Sequence, residues 1–123
     1  MAQREIKFRA WDGEKMRFVC RIDFGNPLFD LQLRTPTDSA PEHWKLSKIA
    51  DTPIMQFTGL HDKNGKEIYE SDKISNGKAI FTILWNPDLC CFDMERHEGD
   101  NKYLHEMAHI IQEKYEVIGN IYE

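Results

Sequence analysis

The chain reads as a mainly β protein, a small barrel-like or sandwich domain with one C-terminal α-helix near 102–114. Three observations predict this. Apolar and polar residues alternate with a period of two along most of the chain, and Asn-Gly and Asn-Pro dipeptides interrupt that alternation. One stretch alone shows the i, i+3, i+4, i+7 spacing of a helix face. At 123 residues the length suits one domain, 1–123, with one core. A hydrophobic share of 41% beside 30% charged residues is globular composition and excludes wholesale disorder.

Residues 5–11 and 16–22 predict a hairpin around Asp12-Gly13-Glu14-Lys15. Ile6, Phe8 and Ala10 alternate with Lys7, Arg9 and Trp11 on its first strand. Met16, Phe18, Cys20 and Ile22 alternate with Arg17, Val19 and Arg21 on its second. After Gly25-Asn26-Pro27 the segment Leu28 to Arg34 alternates again, with Phe29, Leu31 and Leu33 on one side. Thr35 to His43 holds two prolines and reads as a loop. Trp44, Leu46 and Ile49 fit either a short helix or a bent strand, and Pro53 stops a helix from reaching Ile54.

Ile54, Met55 and Phe57 start another strand, which turns at Lys63-Asn64-Gly65-Lys66. Asn-Gly there predicts a type I′ turn. Asn76-Gly77 precedes the run Ala79 to Trp85, apolar at nearly every position, which predicts a central strand buried on both faces. Asn86-Pro87-Asp88 leads into Cys90, Phe92 and Met94, alternating with Asp93 and Glu95. Leu104, Met107, Ala108 and Ile111 mark the helix, and Glu116 to Tyr122 reads as a closing strand.

Several function classes fall away on composition. MAQREIKFRAW places charges where a signal peptide needs an apolar core, and Ala79 to Trp85 is too short to span a bilayer. The expectation is a cytoplasmic protein with no membrane partner. Cys20, Cys90 and Cys91 make an odd number without C-x-x-C spacing and read as free structural thiols. The net charge of −5 is uneven: residues 1–25 carry six Lys/Arg and four Asp/Glu, residues 88–123 three and nine. Such asymmetry points to a sided molecule.

The strings REIKFRAWD at 4–12, IMQFTGLHDKNGKEIYESDKI at 54–74 and YEVIGNIYE at 115–123 carry a family resemblance. In content, order and position the chain resembles the YopX family of phage and prophage proteins. The resemblance implies a small β-rich, barrel-like domain carried by phages and mobile elements. It brings no catalytic residues to transfer. One departure stands out, since members read Glu-Gly-Asp where this chain has Glu70-Ser71-Asp72. Glycine at the middle position allows a left-handed or bulged backbone that serine tolerates less well, which leaves the turn between Tyr69 and Ile74 open.

Two constellations could carry chemistry. His105-Glu106-Met107-Ala108-His109 is a literal H-E-x-x-H, the spacing that sets two zinc-binding imidazoles one helical turn apart with a glutamate general base. The longer metzincin pattern fails, because Gln112 and Tyr115 stand where it needs glycine and histidine. The apolar stripe also leaves both histidines beside the core, so they read as surface residues. Lys7, Arg9, Trp11, Arg17 and Arg21 form the second constellation, an aromatic among cations on the first hairpin, suited to phosphates and bases or to a protein partner. Exposed strand faces are also commonly charged for solubility. The expectation is therefore a non-enzymatic accessory protein with no cofactor and no resident metal. It acts through macromolecular contacts, with self-association included. Nucleic-acid binding by the hairpin is the alternative, and a zinc hydrolase on His105, Glu106 and His109 the distant third.

Overall fold

The structure, a computed structural model, describes residues 5–35, 45–96 and 100–123. It is mainly β, with antiparallel sheets and one short C-terminal helix. Strand order is open in each sheet, so among the described residues neither closes into a barrel. The chain gathers into two compact units, Lys7–Gln56 and one built on Phe57–Glu123.

In the first unit, β1 (Phe8–Trp11) and β2 (Met16–Ile22) form the expected hairpin, pairing Arg9 with Phe18, Ala10 with Arg17 and Trp11 with Met16. Asp12 shapes its turn, accepting the N–H groups of Glu14 at 2.8 Å and Lys15 at 2.9 Å. β3 (Leu31–Arg34) is shorter than the alternation predicts. Asn26 Oδ1 takes the N–H groups of Leu28 (2.8 Å) and Phe29 (2.9 Å), so these residues bond locally rather than to a neighbouring strand. The result is a loop, closed where the Asp23 N–H donates to the Asp30 carbonyl at 2.8 Å.

The ambiguous segment resolves into both of its alternatives. Leu46 lies in a strand, β4 (Lys45–Ser47), and Ile49 opens a 3-10 turn over Ile49–Asp51. Trp44 and the expected loop beyond Thr35 lie outside the described residues. β5 (Ile54–His61) enters by pairing Ile54, Met55 and Gln56 with Ala10, Arg9 and Phe8. The core is Ala10, Leu31 and Leu33, flanked by Val19, Ile22, Ile49 and Ile54. Val19 and Ile22 are three residues apart, yet both face this core. A bulge at Cys20 makes this possible, moving the register from Val19–Leu33 to Arg21–Gln32.

In the second unit β5 continues from Phe57 and pairs with β6 (Glu67–Tyr69). Next come β7 (Asp72–Ser75), β8 (Ile80–Asn86), β9 (Cys91–Glu95) and β10 (Asn101–Tyr103). A 3-10 turn over Leu104–Met107, α1 (Ala108–Lys114) and β11 (Glu116–Asn120) complete it. Five strands align in the order β10-β9-β8-β7-β11. Ile68, Ile74, Phe81, Ile83, Met94, Leu104, Ile111 and Tyr115 form its core. β8 is central, as its composition predicts, but buries one face only: Phe81 and Ile83 point inward, while Ile80 and Trp85 are 51% and 43% exposed. The predicted helix is also shorter, because residues 101–103 pair with β9 and 104–107 wind as 3-10.

A single carboxylate joins distant parts of this unit. Asp62, after β5, accepts the N–H groups of Asn64, Lys66 and Val117, each at 2.9 Å. Beside it the Lys63 N–H donates to the Tyr115 carbonyl at 2.8 Å. The 62–66 loop thereby occupies backbone groups at the entry to β11, an edge strand. Gly65 has φ +84° while Asn64 does not share the positive region, so the turn is not the predicted type I′. Burial works against ionisation of Asp62, but the three N–H donors more than offset it and hold the carboxyl below its ordinary range.

The departure at Ser71 also acquires a geometry. Its φ is +75°, the left-handed conformation that glycine adopts freely. Its N–H donates to the Ile83 carbonyl at 2.7 Å and its carbonyl accepts from Ile121 at 3.1 Å. Asp72, 1% exposed, accepts the Tyr69 N–H at 2.8 Å. The β6–β7 connection is thus held from both sides in a shape serine disfavours.

Two outcomes follow. Ser71→Gly raises unfolding stability by about 1 kcal/mol, read as a higher urea midpoint at unchanged slope. Because the folded-state pKa of Asp62 lies below the unfolded one, its contribution is present above the ordinary carboxylate range. It is lost as pH falls through the folded pKa. Urea titrations at pH 7 and at about pH 3 therefore show a smaller acid-induced loss in Asp62→Asn than in the parent protein.

Candidate functional site

The five residues expected to form one cationic face divide between two. Directly paired residues share a face, so Arg9, Trp11, Met16 and Phe18 lie together, and Arg17 lies with Ala10 on the core side. There Arg17 makes a charge-assisted contact through Nε to Asp12 Oδ2, with its side chain 15% exposed. Lys45 Nζ approaches the same oxygen at 3.8 Å. Burial opposes ionisation of Asp12, but Arg17, the Lys15 and Glu14 N–H groups and Lys45 hold its carboxyl well below the ordinary range. Arg17 therefore serves the hairpin turn.

Arg9 is buried at 9% exposure, and Lys7 and Trp11 are half-buried. Arg21 is the most open of the set, with a side chain 64% exposed, and Asp23 Oδ2 lies 3.4 Å from its Nη2. The bulge at Cys20 turns Arg21 to the face of Phe18 and Arg34, away from the core. Arg34 stacks over the Phe18 ring at 5.7 Å.

That face leads to a feature the sequence reading missed. The loop Asp23–Asp30 presents Phe24 at 83%, Leu28 at 65% and Phe29 at 43% exposure, and Leu46 on β4 is 48% exposed. Phe29 and Leu46 line a groove of about 220 Å³ whose other walls include Arg21, Asp23 and Gln32. Together these large apolar side chains, open to solvent and beside Arg21, form an exposed mixed patch. The signal was present in Phe24, Leu28 and Phe29 themselves. Alternation placed Phe29 on one side with Leu31 and Leu33, because it could not register Asn26 ending the strand.

The H-E-x-x-H string does not lie on one α-helix. His105 belongs to the 3-10 turn and His109 to α1, with the break at Met107 (φ −103°, ψ 4°). A 3-10 turn advances fewer residues per revolution, so the one-turn alignment of the two imidazoles is lost. Both are exposed. His105 stacks on Tyr103 at 5.8 Å and borders a groove of about 330 Å³ with Leu60, Phe92 and Cys90, whereas His109 is not among its lining residues. Among the described residues no three His, Cys, Asp or Glu side chains gather as a metal site. All three cysteines are free thiols. Desolvation and the Asp93 carboxylate push the Cys91 thiol up, away from the reactive thiolate.

Comparison with known proteins gives a family and a fold. The family profile described as YopX protein matches residues 7–123. No curated protein matches the chain. The crystal structure of protein EF1440 from Enterococcus faecalis is similar with a TM-score of 0.61 and 25% identity, covering 98% of this chain and 96% of that one. Among the described residues no helix is long and apolar enough to cross a membrane.

The two arrangements separate by mutation. Asp12→Asn leaves Arg17 without its charged acceptor and lowers stability by roughly 1–3 kcal/mol at pH 7. His105→Ala combined with His109→Ala shifts it by less than about 0.5 kcal/mol, as expected of exposed side chains. Urea midpoints of the two variants against the parent check both figures.

Proposed function

The chain belongs to the YopX family, and from that premise we propose that it is a phage- or prophage-encoded accessory protein that acts in the cytoplasm through macromolecular contacts and not through catalysis. The observation that carries this reading is the open apolar cluster of Phe24, Leu28, Phe29 and Leu46. Exposing these side chains forfeits burial worth about 1.5–3 kcal/mol each, a cost that contact with another surface recovers. The neighbouring Arg21 and the Arg34–Phe18 stack supply the aromatic and arginine character of binding hot spots. A protein surface is the partner this composition suits.

The same hairpin has less to offer nucleic acid. Arg17 and Arg21 each have a carboxylate partner, and Arg9 is buried. The unit Lys7–Gln56 holds eight Lys/Arg and seven Asp/Glu, a balance too even for strong phosphate attraction. The zinc-hydrolase reading of His105, Glu106 and His109 lacks a common helix face and a third ligand among the described residues.

The test compares the full chain with its Phe24→Asp/Phe29→Asp variant. Both are tagged, expressed in cells carrying the encoding element and co-purified, with sedimentation of the pure proteins as a second readout. The parent protein captures a defined partner, or self-associates, and the variant loses at least about 90% of that capture at an unchanged urea midpoint. A parent protein that sediments as a monomer and elutes alone, or a variant that keeps the same partner, refutes the reading.

A further inference from the structure

The second unit is acidic, with seven Lys/Arg against thirteen Asp/Glu over residues 57–123. Against that background three cations meet at one groove. Lys73 stands on β7, Lys78 in the β7–β8 turn and Arg96 just after β9, and all three line a depression of about 540 Å³ on this unit. Their walls are shared with Ser75, Thr82 and the half-exposed Ile80. Among the described residues none of the three cations has a carboxylate partner. Holding like charges together without a counter-ion raises the local potential, and an anion from solution relieves it.

The sheet explains why these groups converge. The core of this unit takes Ile74, Phe81, Ile83 and Met94, so the residues between them on β7 and β8 face outward. Lys73 is directly opposite Thr82, and Ser75 opposite Ile80. Lys73 and Ser75 are two residues apart, roughly 7 Å along the strand. The Gly77 N–H donates to Ser75 Oγ at 3.0 Å, which occupies that oxygen as an acceptor and leaves its hydroxyl proton free to donate. Asn76 Oδ1 takes the Lys78 and Ala79 N–H groups at 2.9 and 3.0 Å, fixing the turn that carries Lys78. Glu95, across from Thr82 on the next strand, is not among the lining residues.

We propose that this groove binds the phosphate group of a nucleotide-sized ligand. Lys73, Lys78 and Arg96 neutralise the anion, Ser75 and Thr82 donate hydroxyl hydrogen bonds, and Ile80 with Ala79 gives an apolar wall for the rest of the ligand. The volume exceeds what inorganic phosphate fills and falls within the range of small-ligand sites. Free nucleotide and the backbone of single-stranded nucleic acid present the same phosphate chemistry. The site lies outside the Phe24–Leu46 surface and stands or falls separately from it.

The experiment titrates the isotope-labelled full chain with AMP, with inorganic phosphate and with a ten-nucleotide oligo-dT, following amide shifts by NMR at low salt. Binding in at least one arm moves the amides of residues 73–82 and 96. Lys73→Gln/Arg96→Gln weakens it by about tenfold or more, while Lys102→Gln leaves it unchanged. Lys78→Gln, at an exposed turn, serves if the double variant unfolds. AMP binding as tightly as oligo-dT identifies a free nucleotide as the ligand, and tighter oligo-dT binding identifies a strand. Absence of shifts in all three arms, shifts confined to other residues, or full affinity in the variants overturns the proposal.

Discussion

The second unit depends on one desolvated carboxylate. Asp62 presents its oxygens to three backbone N–H groups, two in its own loop and one at Val117, 55 residues away. Hydrogen bonds to a charged acceptor are stronger than neutral ones, and in a buried setting each also satisfies a donor that would otherwise be costly. The loop that Asp62 organises then supplies the Lys63 N–H to Tyr115. Two of the strings that carry the family resemblance, at 54–74 and 115–123, meet at this point and again where Ile121 donates to Ser71. Their joint presence in the sequence has a physical reason: each is the other's hydrogen-bonding partner.

Much of the fold was legible because its signals are local. Alternation around Asp12-Gly13 located the first hairpin, and the apolar run Ala79 to Trp85 located the central strand. At Ser71 the replacement of glycine by serine pointed at a left-handed or bulged backbone without choosing between them, and the φ of +75° is the left-handed one. What failed was non-local or depended on a side chain competing with the backbone. Asn26 took the N–H groups that would have extended β3. Pairing of residues 101–103 with β9 overrode the first turn of the expected helix. The bulge at Cys20 reversed the facing of Arg21, which no period-two reading anticipates.

The candidate sites show the same division. Counting residue types along one hairpin assembled Lys7, Arg9, Trp11, Arg17 and Arg21, but pairing sent Arg17 to the other face and burial took Arg9. The cations of the second unit escaped notice because they come from β7, a turn and the end of β9, separated by as many as seventeen intervening residues between Lys78 and Arg96 that mostly build core or turns. Charge therefore matters here by placement. In the unit with the nearly balanced count Arg17, Arg21 and Lys45 face carboxylates, and the acidic unit keeps three of its seven cations in one depression.

The bond between Asp62 and Val117 also sets an order of events during synthesis. Residues 7–56 contain every strand segment of their own unit, so that unit has all its pairing partners once it clears the ribosome. The second unit must wait. Until Val117 emerges, Asp62 has no distant donor, β7 lacks its outer neighbour and Ile74 lacks the cover of Val117. Translation at about 5–20 residues per second makes that interval several seconds, during which a half-built sheet offers an apolar face to chaperones and to other nascent chains. A slow codon run placed soon after the region encoding Gln56 would favour the first unit without helping the second.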